Sequence, residues 1–155
     1  MLSHRQILIL CEVQMSDDLT AIGQQILASQ PFSQLLKAQI SEFRQGYAEL
    51  RLKINPELTQ QFGFVHGGVL SYAADNAITF AGGSVLGLEV VTAEYKINYV
   101  KPAQDQELIA RASVLSSGSR QAVCQCLVYC QDEQNETLVA VAQGTIMTLS
   151  SKRSL

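Results

Sequence analysis

The residues best suited to chemistry lie in one stretch, Val65-His66-Gly67-Gly68-Val69-Leu70-Ser71-Tyr72-Ala73-Ala74-Asp75-Asn76-Ala77. It reads as a loop that ends in two glycines and runs straight into an apolar helix. The first amides of a helix have no partner inside the helix and point outward. They carry partial positive charge, so they suit a ligand oxygen that is becoming negative. Gly67 and Gly68 lack a Cβ, which lets another group approach their backbone closely. From Val69 to Ala81 the residues are small or apolar, broken only by Ser71, Asp75, Asn76 and Thr79. A helix apolar on every side is a buried one. An acid inside it is expensive unless something pairs with it or uses it. Helix-start amides and a buried carboxylate are the parts needed for attack on a carbonyl.

The spacing of those parts has a geometric consequence. Gly67 and Asp75 are eight residues apart in the chain, or about 12 Å along a helix. Groups that act on one carbonyl must each lie within ~3 Å of it or of its attacking water. One helix does not meet that requirement comfortably. A two-fold axis that sets two such helices antiparallel does: Gly67 of one chain then faces Asp75 of the other, and a homodimer has two equivalent sites. Asn76, Thr92 and the facing helix start are candidate donors to Asp75. The competing reading of Asp75 is a buried acid that caps a neighbouring loop. Two readings of His66 also stand, a loop histidine bonded only to backbone or a polar group at the site. Phe62, Phe64 and Phe80 are core residues, unless one of them lines a ligand pocket.

The elements that position these residues follow from periodicity. Ser16-Asp17-Asp18 reads as a capped helix start, and Leu19, Ile22, Ile26 and Leu27 recur at helical spacing before Pro31. Phe32 to Leu36 fits a second helical turn. Tyr47 to Ile54 alternates as a strand, with Ala48, Leu50, Leu52 and Ile54 on one face, and Asn55-Pro56-Glu57 stops it. Leu58 to Val65 is a loop. The central helix is expected from about Gly68 to Ala81, ended by Gly82-Gly83. Four strands follow, Glu89 to Val100, Glu107 to Leu115, Arg120 to Cys130 and Thr137 to Leu149. Ser116-Ser117-Gly118-Ser119 and Asp132-Glu133-Gln134-Asn135 are their turns. Sequential strands with short turns are antiparallel, so one long sheet wraps one apolar helix. A single sheet covers only part of such a helix, and a second subunit is expected to cover more.

Composition bounds the rest. The chain has 155 residues, 47% of them hydrophobic, which fits a single domain over 16–150 after a leader of uncertain order at 1–15. A net charge of -3 gives no support for nucleic-acid binding. No apolar run approaches the ~20 residues of a membrane span. Ile7 to Cys11 is too short a run for a secretory signal, so a cytoplasmic location with reduced thiols is expected. Of the four cysteines, Cys124, Cys126 and Cys130 share one strand face with Val128. No histidine sits nearby, so they read as small buried side chains and not as a metal site.

At this point the chain resembles the PaaI-type hotdog-fold acyl-CoA thioesterases. The resemblance is carried by Phe64-Val65-His66-Gly67-Gly68-Val69-Leu70, by Asp75 nine positions after His66, and by Thr92. It is extended by Ile97-Asn98-Tyr99 with Pro102 and by the Ser116 to Arg120 turn, and it covers roughly Phe43 to Leu149. It implies an α+β hotdog fold, a five- to six-stranded antiparallel sheet around a central helix, with an N-terminal helix. It implies hydrolysis of an acyl-CoA, or a similar acyl thioester, to free acid and CoA, without cofactor or metal, in a homodimer or dimer of dimers.

Residue by residue, Asp75 resembles the catalytic carboxylate, acting as nucleophile or as general base. The Gly67 amide resembles the oxyanion donor and His66 the histidine that orients the site. Thr92 falls near the nucleophilic water. Gln60 falls where many members have Asn; it has the same donor and acceptor set on a longer arm. Gly68, Asn76 and Asn98 are implied substrate contacts. Gly118, Ser119 and Arg120 sit at a turn near the CoA nucleotide in such enzymes. Arg120 either meets a phosphate or is a solvated turn arginine, and Lys101 has the same two readings. Two other functions stay open on this fold. One is a dehydratase or hydratase, which needs an acid/base pair across the acyl chain. The other is a non-catalytic acyl-CoA-binding module in which Asp75 is incidental.

Overall fold

The computed structural model describes residues 19–149. The expected leader and the helix start at Ser16-Asp17-Asp18 lie outside the described residues. A helix, α1, occupies residues 19–28. Leu27 is buried and Leu19 and Ile26 are partly buried against the core, whereas Ile22, expected on the same face, is 37% exposed. Pro31 opens a short second helix, α2 (Pro31–Leu36). The chain then forms β1 (Gln39–Arg44), β2 (Tyr47–Lys53), a 3-10 turn (Pro56–Leu58), α3 (Gly67–Leu86), β3 (Val90–Tyr99), β4 (Glu107–Ser117), β5 (Gln121–Gln131) and β6 (Glu136–Thr148).

The six strands form one sheet in the order β1-β2-β4-β5-β6-β3, every neighbour antiparallel. The sheet packs around α3, which meets all six strands. This is the hotdog architecture. Alternation places the core. In β5, Ala122, Cys124, Cys126, Val128 and Cys130 are buried and the intervening residues are not. Burial pushes the Cys124 thiol up to about 11 and the Cys126 thiol up to about 12, so both are poor nucleophiles. Among the described residues no cluster of side chains fits a metal ion. No described helix is long and apolar enough to cross a membrane.

On the outer face of the sheet an ion network replaces the apolar layer. Glu49, only 9% exposed, accepts from Arg51 Nε and Arg111 Nε, each at 2.8 Å, and from Ser41 Oγ at 2.8 Å. Arg111 also holds both carboxylate oxygens of Glu136, at 2.6 and 2.8 Å.

Phe62, expected in the core, is 74% exposed, and two features of the elements also differ from the sequence expectation. The central helix does not end at Gly82-Gly83 but continues to Leu86, with the Gly87 amide bonded to Gly83 O at 3.0 Å. The glycines serve packing instead. A Cβ on Gly82 would sit 2.7 Å from Ile146 Cβ, and one on Gly83 would sit 3.2 Å from Val90 Cγ2. The second feature is β1, which the alternation rule does not find. Its buried residues Ile40 and Phe43 are three apart, and a bulge between Ile40 and Glu42 brings them to one face.

Candidate active site

His66 caps α3. Its Nδ1 accepts from the Gly68 amide at 2.9 Å, and its carbonyl accepts from the Val69 amide at 2.9 Å. Because Nδ1 is an acceptor, the imidazole proton sits on Nε2. Nδ1 is thus bonded to backbone in the single chain, which both readings of this residue accommodate. The Gly67 amide is different. Among the described residues no acceptor takes it, so it remains one of the outward-pointing donors of the helix start. The loop before it is held rigidly. His66 N donates to Leu58 O at 2.8 Å, Val65 N to Ala103 O at 2.7 Å, and Gln60 N to Phe64 O at 2.8 Å. Gln60 spends its side-chain oxygen on the Phe62 amide, which leaves its amino group for a ligand. Gln60, Gly67, Leu70, Tyr99 and Lys101 border an open cleft of about 350 Å³. Tyr99 fixes the helix start to β3 by donating its hydroxyl to Gly67 O at 3.2 Å.

Asp75 is half-buried two turns further along α3. Thr92 Oγ1 donates to its Oδ1 at 2.7 Å, as expected of a donor facing it from β3. A second hydroxyl joins them. Thr79 Oγ1 lies 2.8 Å from Asp75 O and 2.9 Å from Thr92 Oγ1. Two hydroxyl protons serve three contacts. The Thr92 proton goes to the carboxylate, where charge strengthens the bond, and Thr79 supports Thr92 or closes on the helix carbonyl. One carboxylate oxygen is thus aimed and the other is left for water. Thr79 escaped the sequence reading, although its place four residues after Asp75 put it one turn away on the same helix face.

Asn76 does not serve Asp75. Its amino group reaches Gln30 Oε1 at 3.2 Å, Ser33 Oγ at 3.3 Å and Tyr72 OH at 3.1 Å. As a donor to the carboxylate it is therefore replaced by Thr92. The reason is angular: Asn76 is 100° round the helix from Asp75 and faces α2 rather than β3.

Other expected positions stand apart in one chain. Tyr95 meets Ser71 and Tyr99 meets Gly67, so these positions of β3 face α3 and Asn98 points to the opposite side of the sheet. Gly118, Ser119 and Arg120 form the β4–β5 turn, beside Met147 and Thr148. Thr92, Ile146 and Ala122 lie on one row across β3, β6 and β5. The turn therefore sits beyond that row, at least about 10 Å from Thr92 at ~4.8 Å per strand. Gly67 and Asp75, at opposite ends of this stretch of α3, are the ~12 Å apart that helix geometry dictates. Within a single chain the amide cleft and the carboxylate are separate features of α3.

Known proteins share this arrangement of strands and helix. The model of the thioesterase superfamily matches residues 62–137. A Saccharolobus solfataricus protein named only as a candidate esterase is 30% identical over 122 residues, 78% of this chain and 79% of the relative. The medium/long-chain acyl-CoA thioesterase YigI of Escherichia coli is 21% identical over 146 residues, 83% of this chain and 92% of the relative. A crystal structure of a thioesterase family protein from Silicibacter pomeroyi superposes with a TM-score of 0.77 at 31% identity, covering 81% of this chain and 93% of that one. The E. coli PaaI protein shares the fold, with a TM-score of 0.74 at 19% identity over 86% of this chain and 97% of that one. At 31% identity to a thioesterase family protein, over 81% of this chain and 93% of that one, the chain belongs to the thioesterase superfamily.

Proposed function

We propose that the protein hydrolyses acyl-CoA thioesters at sites shared between two copies of the chain. In each site Asp75 of one copy takes a proton from water through its free oxygen. The water adds to the thioester carbonyl, and the Gly67 amide of the other copy stabilises the oxyanion. Collapse of the tetrahedral intermediate breaks the C–S bond, and CoA leaves as a thiolate that takes up a proton. Thr92 and Thr79 keep the carboxylate aimed. His66 holds the helix start in shape, and the Gln60 amino group steadies the carbonyl or the water. Arg120 and Lys101 are the cations available to the CoA phosphates.

The observation that carries this reading is the pair of ties to β3: Thr92 to Asp75 and Tyr99 to Gly67. β3 is an edge strand, ten residues long, with Val91 and Tyr99 exposed by 44% and 54%. A long unpaired edge presents backbone donors and acceptors to another strand. If a second copy pairs its β3 antiparallel about an axis near Tyr95 and Lys96, midway between Thr92 and Tyr99, the two ties interchange. Asp75 of each chain then meets Gly67 of its mate. The acyl-CoA assignment is further supported by the activity named for YigI. The test is release of free thiol from a panel of acyl-CoAs. Turnover is expected for the native chain and its loss in Asp75→Asn with the dimer still folded; full turnover in that variant would overturn the assignment.

A further inference from the structure

We infer that the pocket beside Asp75 selects a short aliphatic acyl group that carries a hydroxyl. This rests on the thioesterase reading and names the acyl moiety of the same site.

The pocket lies between α1, β1, α3 and the start of β3, and its volume is about 100 Å³. Ile26, Phe43, Phe80, Leu88 and Val90 supply apolar walls. The Phe43 and Phe80 rings meet edge to face at 5.4 Å, and Gly83 lets Val90 close against the helix. Thr79 belongs to both places. It lines the pocket, and its hydroxyl touches Asp75 O and Thr92. An acyl chain that leaves a carbonyl at Asp75 enters this space. An apolar cavity of about 150 Å³ holds one benzene molecule. The present volume is two-thirds of that, so a chain of about four carbons fits while an aryl ring or an eight-carbon chain does not.

The polar wall is the second observation. Gln30 and Asn76 both face the pocket, and both belong to the network with Ser33 and Tyr72. Asn76 Nδ2 donates to Gln30 Oε1, Ser33 Oγ donates to Gln30 Oε1 at 2.6 Å, and Tyr72 OH donates to Ser33 Oγ at 2.7 Å. Turning both amides over gives an equally satisfied network, with Gln30 Nε2 donating and Asn76 Oδ1 accepting. In the first arrangement Gln30 Nε2 and Asn76 Oδ1 are unspent; in the second, Asn76 Nδ2 and Gln30 Oε1. Either way one donor and one acceptor without a protein partner remain on two residues that line the pocket. A hydroxyl both donates and accepts, so it answers both. A methylene answers neither and displaces the water that would.

The experiment compares butyryl-CoA, 3-hydroxybutyryl-CoA, octanoyl-CoA and benzoyl-CoA with the full chain, by kcat/KM from free-thiol release. The hydroxylated substrate is expected to exceed butyryl-CoA by about tenfold, and octanoyl- and benzoyl-CoA to trail both. Gln30→Leu is expected to bring the hydroxy-to-plain ratio near one, and Leu88→Ala to raise octanoyl-CoA relative to butyryl-CoA. Calorimetry on Asp75→Asn reads the same preference as a Kd ratio, without turnover. Hydrolysis with no hydroxyl preference, or with octanoyl-CoA favoured, overturns the pocket inference and leaves the thioesterase reading intact. A binding preference with no hydrolysis by the native chain supports the pocket and overturns the thioesterase reading.

Discussion

Gly67→Pro isolates the proposed oxyanion donor. Gly67 is the first residue of α3, the position at which proline is best tolerated in a helix. His66 before it has φ -60 and ψ 134, the extended backbone that a residue preceding proline prefers. A Cβ at position 67 meets Tyr99 Cζ at 3.5 Å, an ordinary contact, and no acceptor among the described residues uses the Gly67 amide. The substitution therefore deletes one hydrogen and little else. Loss of such a donor costs about 10²–10³ in kcat. Gly67→Ala retains the N–H and is expected to keep most of the activity, with a melting temperature close to native. Mixing then tests the sharing of sites. Gly67→Pro and Asp75→Asn are each inactive alone. Their mixed dimer has one site built from the intact Asp75 of one chain and the intact amide of the other. Refolding them together in equal amounts makes half of the dimers mixed, each with one live site of two. Activity returns to about a quarter of native. If the mixture stays inactive while gel filtration shows the mixed dimer, each chain acts alone and the argument from helix length fails.

Arg111→Met is expected to destabilise the fold by about 1–3 kcal/mol, since it strips Glu49 and Glu136 of a partner at a site about one-third exposed. Burial opposes ionisation of Glu49, but the bonds from Arg111, Ser41 and Arg51 outweigh it and hold its carboxyl below its ordinary value of 4.5. A depressed carboxyl stabilises the fold above that value and loses its contribution as pH falls through the folded one. The gap in urea midpoint between native and variant should therefore narrow below about pH 4.5, and a gap constant into acid would exclude the pairing as its cause. Gly144→Ala would place a Cβ 2.6 Å from Tyr95 Cβ and 2.7 Å from the Glu94 carbonyl. Backbone cannot yield there, so a loss of about 3 kcal/mol is expected, with a fall in kcat, measured by thermal melting and free-thiol release; a native Tm would refute it.

The capped start of α3 was readable because its signals are local. The cap, the glycines and Asp75 lie within ten positions, and each has a physical reason that needs no partner strand. The strand β5 was readable because its buried residues alternate without interruption, and β2, β4 and β6 because alternate positions stay buried even though Glu49, Ile109 and Val139 between them are buried too. What sequence reading missed depends on what lies opposite. Gly82 and Gly83 have the composition of a helix stop, yet Ile146 and Val90 demand small residues there and the helix continues. The β1 residues Ile40 and Phe43 have helical spacing until the bulge is known. Thr79 is an ordinary helix threonine until Thr92 stands across from it.

The same principle explains how β3 reaches both Asp75 and Gly67. Without interruption, a strand turns residues an odd number apart to opposite faces. Thr92 and Tyr95 are three apart, and Thr92 and Tyr99 seven, yet all three meet α3. The register shift between Thr92 and Glu94 makes this possible, because one extra residue restores the face. The shift has a cost in space, since Tyr95 and the Glu94 carbonyl are pressed onto β6. Gly144 lies opposite Tyr95 and is the residue that leaves room for them. Remove the bulge, and a strand that holds Tyr99 against Gly67 would turn Thr92 away from Asp75. The helix fixes the distance between amide and carboxylate, and the bulged edge strand fixes their orientation. The strand that ties both groups is also an edge of the sheet, so in the dimer we propose catalysis and association are properties of one strand.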